Sequence, residues 1–192
     1  MTILILGGSG SGKSEFAENC LIEKNKSGVC YYLATMMSGD DAESANRIKR
    51  HREMRKGKGF VTVEQPYDIE KCLDRTERDG SILLEDLSNL LANEMFANKK
   101  NDNGNDCIRR ILKGIKTIAE KSENLVIVSN NIFEDGIEYD EETQRYIRSL
   151  GVLNAEIASF SDEVWEVVCG IPVPVRLQEK SNYRYSQTTS VV

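Results

Sequence analysis

A glycine-rich segment near the start of the sequence has the residue types needed to hold nucleotide phosphates. Residues 7–14 match the pattern G-x-x-x-x-G-K-[ST] and lie between an apolar run and a helix-forming segment. Glycines let successive backbone N–H groups turn towards phosphate oxygens, and the N-terminus of the following helix adds favourable potential. Lys13 would reach the β- and γ-phosphates, and the Ser14 hydroxyl would coordinate Mg²⁺. The predicted phosphate-binding residues are Gly7, Gly8, Ser9, Gly10, Ser11, Gly12, Lys13 and Ser14.

Two carboxylates at the end of a later apolar run are candidates for the same site. Residues 81–86 read Ser-Ile-Leu-Leu-Glu-Asp, which predicts a strand that ends in acids. The ends of parallel strands meet at one crevice, so Glu85 or Asp86 would hold the metal through water or orient a nucleophile. The alternative interpretation is a strand end with two solvated acids.

The one histidine of the sequence, His51, lies in a strongly basic segment. Residues 47–58 contain seven Lys or Arg and a single acid. At helical spacing Arg47, His51 and Arg55 share a face, and the two guanidinium groups disfavour the imidazolium and attract phosphate. A neutral ring nitrogen is then available as a nucleophile, which predicts phosphoryl or nucleotidyl transfer through a phosphoramidate. An exposed histidine on a solvated basic helix is the alternative.

Composition limits the class of protein. The 192 residues are 40% hydrophobic and 29% charged, with a net charge of −6, which predicts a globular domain without membrane insertion. One basic segment in an acidic chain indicates that a compact polyanion, not nucleic acid, is the partner. Five scattered cysteines without a C-x-x-C pair predict reduced, buried thiols. Together with the absence of a leader-like N-terminal pattern, they favour a cytoplasmic protein.

The elements that must position these residues alternate along the chain. Short apolar runs predict strands at residues 3–6, 30–34, 60–64, 82–85, 125–129 and 163–169. Amphipathic segments predict helices at residues 13–24, 43–55, 69–78, 87–98, 106–120 and 141–159. This pattern predicts an α/β fold, mainly a parallel sheet with helices on both faces. Residues 1–177 are expected to form a single P-loop nucleotide-binding catalytic domain, followed by a polar C-terminal tail at 178–192.

Further motifs follow the glycine-rich loop in a defined order. Tyr-Leu-Ala-Thr stands at residues 32–35, Arg-Ile-x-x-His-Arg-x-x-Arg at 47–55 and Val-Thr-Val-Glu-Gln-Pro at 61–66. Leu-Leu-Glu follows at 83–85, Asp-Glu-Val-Trp at 162–165 and Gly-Ile-Pro at 170–172. In this order the sequence resembles the bifunctional adenosylcobinamide kinase / adenosylcobinamide-phosphate guanylyltransferase family of cobalamin synthesis.

The resemblance implies a RecA-like P-loop fold, often trimeric, with two activities. One phosphorylates the aminopropanol hydroxyl of adenosylcobinamide with GTP or ATP. The other transfers GMP from GTP to that phosphate through a GMP–histidine intermediate, giving adenosylcobinamide-GDP and pyrophosphate. The family's histidine corresponds to His51 of this sequence. The further nucleotide contacts implied by the resemblance are Ala34, Thr35, Met36, Arg52, Glu53, Met54, Arg55, Glu64 and Glu85.

The sequence departs from the family's usual pattern after the fifth predicted strand. Asn-Glu-Val-Gly, an Arg-Asp pair and Asn-Gln are the usual motifs there, and this chain differs from them at Asn131, Phe133, Ile147, Arg148 and Ala155. These positions concern the acceptor side, namely corrinoid specificity and the efficiency of the kinase step. Two alternatives follow: a P-loop kinase for another small hydroxyl substrate without guanylyl transfer, and a non-enzymatic NTP-binding regulatory protein.

Overall fold

Seven strands form one mixed sheet in the described part of the chain. The computed structural model describes residues 1–26, 28–37, 57–97, 105–132 and 139–177. The strands are β1 (Thr2–Gly7), β2 (Cys30–Ala34), β3 (Phe60–Glu64), β4 (Ser81–Glu85), β5 (Leu125–Asn130), β6 (Glu163–Val168) and β7 (Ile171–Arg176). The α-helices are α1 (Lys13–Lys24), α2 (Leu87–Ala92), α3 (Asn105–Lys121) and α4 (Glu141–Phe160). The predicted helix at 43–55 and the predicted tail at 178–192 lie outside the described residues.

The strand order places three functional segments at one edge of the sheet. The order is β3-β2-β4-β5-β1-β6-β7, and all pairings are parallel except that of β6 with β7. Because neighbouring parallel strands run in the same direction, the carboxyl ends of β4, β5 and β1 lie side by side at one end of the sheet. Glu85, Asn130 and Gly7 are the last residues of these three strands. This edge is the crevice expected for a ligand in an open α/β sheet.

Apolar side chains cover both faces of the sheet. Along β1, Leu4 packs into the cluster formed with α2, α3 and α4, while Ile3 and Ile5 pack into the cluster formed with α1. A strand buried on both faces must be apolar at every position, which explains its continuous apolar sequence. Trp165 is 1% exposed and contacts the Phe16 ring edge-on at 5.5 Å between centroids, so it is a core residue. The predicted doubly covered α/β sheet is confirmed.

Several elements differ from the sequence prediction. The predicted helix at 69–78 is a 3₁₀ helix, Ile69–Arg75, and the predicted helix at 87–98 divides into α2 and a π-helical turn, Asn93–Ala97. Strand β7 was not predicted because Pro172 and Pro174 interrupt it; an edge strand tolerates proline, whose missing N–H costs no ladder hydrogen bond there. Its antiparallel pairing makes the sheet mixed.

The cysteines are free thiols, and they are not all buried. Cys20, Cys72 and Cys107 are buried, Cys30 is half-buried and Cys169 is exposed. Burial raises the pKa of the Cys20 and Cys72 thiols to about 12, which disfavours their reactive thiolate form. The prediction of buried thiols is therefore wrong for Cys169. Among the described helices, none combines the length and the apolar character that crossing a membrane would need.

Candidate active site

The glycine-rich loop joins β1 to α1 and curls around its own backbone. Ser11 N–H donates to the Gly8 carbonyl oxygen at 3.2 Å, and Lys13 Nζ donates to the same oxygen at 3.1 Å. Gly10 and Gly12 have φ values of 72° and 90°, in the left-handed region that glycine adopts without steric cost. Lys13 is only 8% exposed, so its ammonium group is held within the loop. A phosphate oxygen can replace Gly8 as its partner.

The first glycine of the loop lies where no side chain fits. A Cβ added to Gly7 would lie 2.6 Å from Ser11 Oγ and 2.8 Å from the Val167 carbonyl oxygen. Gly7 is therefore closely packed between Ser11 of the same loop and the end of β6. This close approach explains why glycine stands at the end of β1.

Ser14, at the start of α1, is joined directly to the end of β4. Its hydroxyl donates to Glu85 Oε1 at 2.7 Å. Within the described residues, the other oxygen, Glu85 Oε2, is buried and has no hydrogen-bond partner. Burial first, and then the neighbouring Asp86 charge, raise the pKa of Glu85 to about 8, against the opposing effects of the Ser14 hydrogen bond and Lys13. A divalent cation beside the Ser14 hydroxyl would give this carboxylate the partner that it lacks.

Asp86, the second acid of the pair, already accepts three hydrogen bonds. Asp86 caps the N-terminus of α2, where its Oδ1 accepts the Asn89 N–H and the Ser88 hydroxyl, both at 2.7 Å. Its Oδ2 accepts a hydrogen bond from Asn130 Nδ2 at 3.3 Å. The peptide bond between Glu85 and Asp86 is cis. Of the two acids that the sequence left open, Glu85 therefore faces the loop and Asp86 supports the neighbouring helix.

No cluster of three or more His, Cys, Asp or Glu side chains suited to a metal occurs within the described ranges. Magnesium does not need such a cluster, because it takes ligands from phosphates and water besides one or two protein oxygens. The oxygens of Ser14 and Glu85 fit that description.

The predicted nucleotide contacts at the end of β2 lie beside Glu85. Ala34 is paired in register with Glu85 on one side and Glu64 on the other, so these residues form a row across three strands. Thr35 is fully buried, and its hydroxyl accepts the Asp86 N–H at 2.9 Å. Thr35 therefore fixes the turn that follows β4. Met36 is half-buried, and Glu64 is exposed at the carboxyl end of β3. That Ala34, Thr35, Met36 and Glu64 contact the nucleotide stays a prediction.

The predicted basic contacts and the candidate nucleophile are not among the described residues. This applies to His51, Arg52, Glu53, Met54 and Arg55, and also to Phe133. Their roles rest on the sequence.

Two backbone contacts to the loop were not predicted from the sequence. Gly170 N–H, in the turn between β6 and β7, donates to the Ser11 carbonyl oxygen at 2.8 Å. Asn131 N–H, just after β5, donates to the Gly7 carbonyl oxygen at 3.1 Å. Gly170 belongs to the Gly-Ile-Pro motif, which is the one signal in the sequence that could have drawn attention to that turn.

The structure describes the surroundings of four of the five residues that depart from the family's pattern. Asn131 Nδ2 donates to Glu166 Oε1 at 3.2 Å. The family's usual glutamate at this position would place a second carboxylate there, so the amide suits this chain better. Arg148 is exposed on α4 and bonds to Gln144 one turn earlier on that helix, and Ala155 is also exposed. Ile147 is half-buried on the same helix.

Comparison with known families decides the assignment that the site suggests. Residues 3–175 match the family described as cobinamide kinase / cobinamide phosphate guanyltransferase. The chain belongs to this family. The resemblance inferred from the motifs is therefore confirmed, and this member of the cobinamide kinase / guanyltransferase family is a transferase of cobalamin biosynthesis.

Curated relatives of this family member match along their whole length. It is 30% identical over 180 residues to the bifunctional adenosylcobalamin biosynthesis protein CobP of Pseudomonas aeruginosa, with 92% of this chain and 98% of that protein covered. It is 28% identical over 191 residues to the corresponding protein CobU of Escherichia coli, and 30% over 190 residues to CobU of Salmonella typhimurium. Both of these matches cover 92% of this chain and 100% of the relative.

Solved structures similar to this family member support the fold alone. One solved ATPase domain has a TM-score of 0.50 at 15% identity, with 86% of this chain and 68% of that chain covered. An ATPase from the type III secretion system of pathogenic bacteria has a TM-score of 0.51 at 14% identity, with 86% of this chain and 50% of that chain covered. The RecA-like P-loop fold implied by the resemblance is confirmed.

Proposed function

We propose that this chain catalyses both group transfers in its family's name. It phosphorylates the aminopropanol hydroxyl of adenosylcobinamide with GTP or ATP, and then transfers GMP from GTP to the new phosphate. The products are adenosylcobinamide-GDP and pyrophosphate. The observation that carries the proposal is the Lys13, Ser14 and Glu85 arrangement at the carboxyl ends of β1 and β4, in a chain that matches the family over residues 3–175.

The loop supports the first step by binding and orienting the nucleotide. Its backbone N–H groups and Lys13 would hold the β- and γ-phosphates while the substrate hydroxyl attacks the γ-phosphorus and the nucleoside diphosphate leaves. Ser14 and Glu85 would hold Mg²⁺, which when bound neutralises charge on the phosphates. Glu85 Oε2, buried and without a hydrogen-bond partner in the described part of the chain, supports this assignment.

The second step needs a nucleophile, and we assign this role to His51. A ring nitrogen attacks the α-phosphorus of GTP, a P–N bond forms, and pyrophosphate leaves. A phosphate oxygen of adenosylcobinamide phosphate then attacks the same phosphorus and releases the histidine. Arg52 and Arg55, in the same basic segment, would bind phosphates while pyrophosphate departs.

The proposal is tested with wild-type protein, Mg²⁺ and GTP labelled at its α- or its γ-phosphate. We expect the γ-label to pass to adenosylcobinamide and the α-label to attach to the protein until adenosylcobinamide phosphate is added. Transfer of the γ-label without any α-labelled protein would instead support a P-loop kinase that lacks guanylyl transfer. Binding of GTP without either transfer would support the non-enzymatic, NTP-binding regulatory protein.

We also propose that the chain forms a homo-oligomer, a trimer by resemblance to its family. Strand β7 supports this, because Ile171, Val173 and Val175 alternate along it and are 65%, 44% and 63% exposed. An apolar stripe on an edge strand is typical of a surface that another chain covers. We expect light scattering to give three times the 21.6 kDa chain mass. The mass of a single chain at micromolar concentration would contradict the proposal.

A further inference from the structure

The turn between β6 and β7 lies directly against the phosphate loop. Gly170 N–H donates to the Ser11 carbonyl oxygen at 2.8 Å. A Cβ added to Gly12 would lie 3.4 Å from Gly170 Cα, so the first atom of any side chain at this position would touch the turn. The contact joins residues about 160 positions apart in the sequence, and it occurs where the loop passes into α1.

The direction of the Gly170 N–H is determined by the geometry of this turn. Val168 and Ile171 are paired across the two strands, so Cys169 and Gly170 form a two-residue connection. Their φ values are 51° and 81°. Positive φ at both central residues is the requirement of a type I′ turn, whose twist matches that of the strands it joins. The N–H that meets the loop is therefore held by a well-defined hairpin.

Holding the Ser11 carbonyl also orients the next N–H of the loop. In a planar trans peptide, the carbonyl and the N–H point in opposite directions. Because the Ser11 carbonyl points to Gly170, the Gly12 N–H points away from the turn. The Gly7 carbonyl is held in the same way by Asn131 N–H, which directs the Gly8 N–H away from β5. These N–H groups lie in the part of the loop that receives phosphate oxygens.

We propose that Gly170 is a positioning residue for nucleotide binding. Its N–H holds the Ser11–Gly12 peptide in the phosphate-binding orientation before the nucleotide arrives, and it does so from outside the glycine-rich motif. This inference rests on the proposed binding of nucleotide by the loop. It assigns a function to the Gly-Ile-Pro motif, which the two transfer reactions do not otherwise use.

The test compares Gly170→Ala with wild type by titration with GDP and Mg²⁺, a pair that binds without phosphoryl transfer. At Gly170 an added Cβ meets no atom of the described residues within 4 Å, so the substitution is expected to act through the φ of 81°. An L-residue populates this region roughly tenfold less than glycine, and a binding-competent state that is tenfold rarer raises the apparent Kd about tenfold. We expect that increase.

Two variants separate positioning from a general loss of stability. Gly59→Ala is the matched control. Gly59 has a φ of 77°, an added Cβ there also meets no described atom within 4 Å, and it precedes β3, the outermost strand on the side of the sheet opposite to β7. This control should lower the melting temperature by a similar amount and leave the Kd for GDP unchanged. Gly170→Asn should recover most of the affinity, because asparagine adopts the left-handed region more readily than alanine.

Hydrogen exchange in the wild-type protein gives a second measurement that needs no variant. GDP and Mg²⁺ should slow exchange of the Gly170 amide, since phosphate contacts fix the peptide that accepts its hydrogen bond. Suppose that wild-type protein binds GDP, that Gly170→Ala binds it with equal affinity, and that Gly170 exchange does not change. That result would overturn this inference and leave the proposed function untouched. Failure of the wild-type protein to bind GDP would overturn the proposed function as well.

Discussion

His51→Ala is expected to abolish the covalent GMP adduct while phosphorylation of adenosylcobinamide continues at a measurable rate. The two transfers have different chemical needs: the kinase step uses the phosphate loop directly, whereas guanylyl transfer needs a nitrogen that attacks the α-phosphorus. We expect guanylyl transfer to fall by ~10³-fold or more, because no other residue type in the basic segment replaces a neutral imidazole. The measurement is α-label retained on the protein after denaturing electrophoresis.

The chemistry of the label and the composition of the chain sharpen this test. A phosphoramidate is labile in acid and stable in alkali, and His51 is the single histidine of the sequence. A lysine adduct would share these properties, so the label must disappear in His51→Ala to be assigned to the histidine. His51→Asn, which keeps a polar side chain of similar size, should behave in the same way. Equal loss of both reactions in a folded variant would contradict the division of roles.

Glu85→Gln is expected to lower the rate of both Mg²⁺-dependent transfers by roughly 10- to 100-fold, the usual range for a residue that orients a metal's surroundings. The wild-type carboxylate lies 2.7 Å from the Ser14 hydroxyl and has one buried oxygen without a partner among the described residues. Glutamine keeps the shape of this side chain and removes the charge that attracts the cation. The measurement is the dependence of the kinase rate on Mg²⁺ concentration, which should shift to higher concentration in the variant.

Two controls keep this prediction specific. Without nucleotide at about pH 6.5, Glu85→Gln should unfold at a higher temperature than wild type. The Glu85 pKa of about 8 keeps the carboxyl mostly protonated in the folded protein, whereas the unfolded chain, with the ordinary pKa of 4.5, ionises it, and this ionisation favours unfolding only in the wild type. Glu163→Gln changes another buried glutamate, which pairs with Lys24 at 3.0 Å and accepts the Trp165 N–H at 2.9 Å. It should lose stability and keep the wild-type Mg²⁺ dependence. An unchanged Mg²⁺ dependence in Glu85→Gln would exclude Glu85 from the metal's surroundings.

Much of the architecture could be predicted because it depends on local patterns. The continuous apolar sequence of β1 predicts a strand buried on both faces, and Leu4 and its neighbours are buried in that way. The phosphate loop could be recognised because its glycines and Lys13 are consecutive in the sequence. Strand β7 and the 3₁₀ helix Ile69–Arg75 could not, because prolines obscure an edge strand and short helical segments have no periodicity of their own.

The order and spacing of nearby residues were enough to predict the class of fold and the residue types of the phosphate site, and the motifs along the chain carried the resemblance to the family. The choice between Glu85 and Asp86 required the folded chain, in which one bonds to Ser14 across the sheet edge and the other caps α2. The contact of Gly170 with Ser11 also became visible only there. Such contacts depend on strand order and on the direction of single N–H groups and oxygens. The sequence pattern contains no local signal for either, because the partners are distant along the chain.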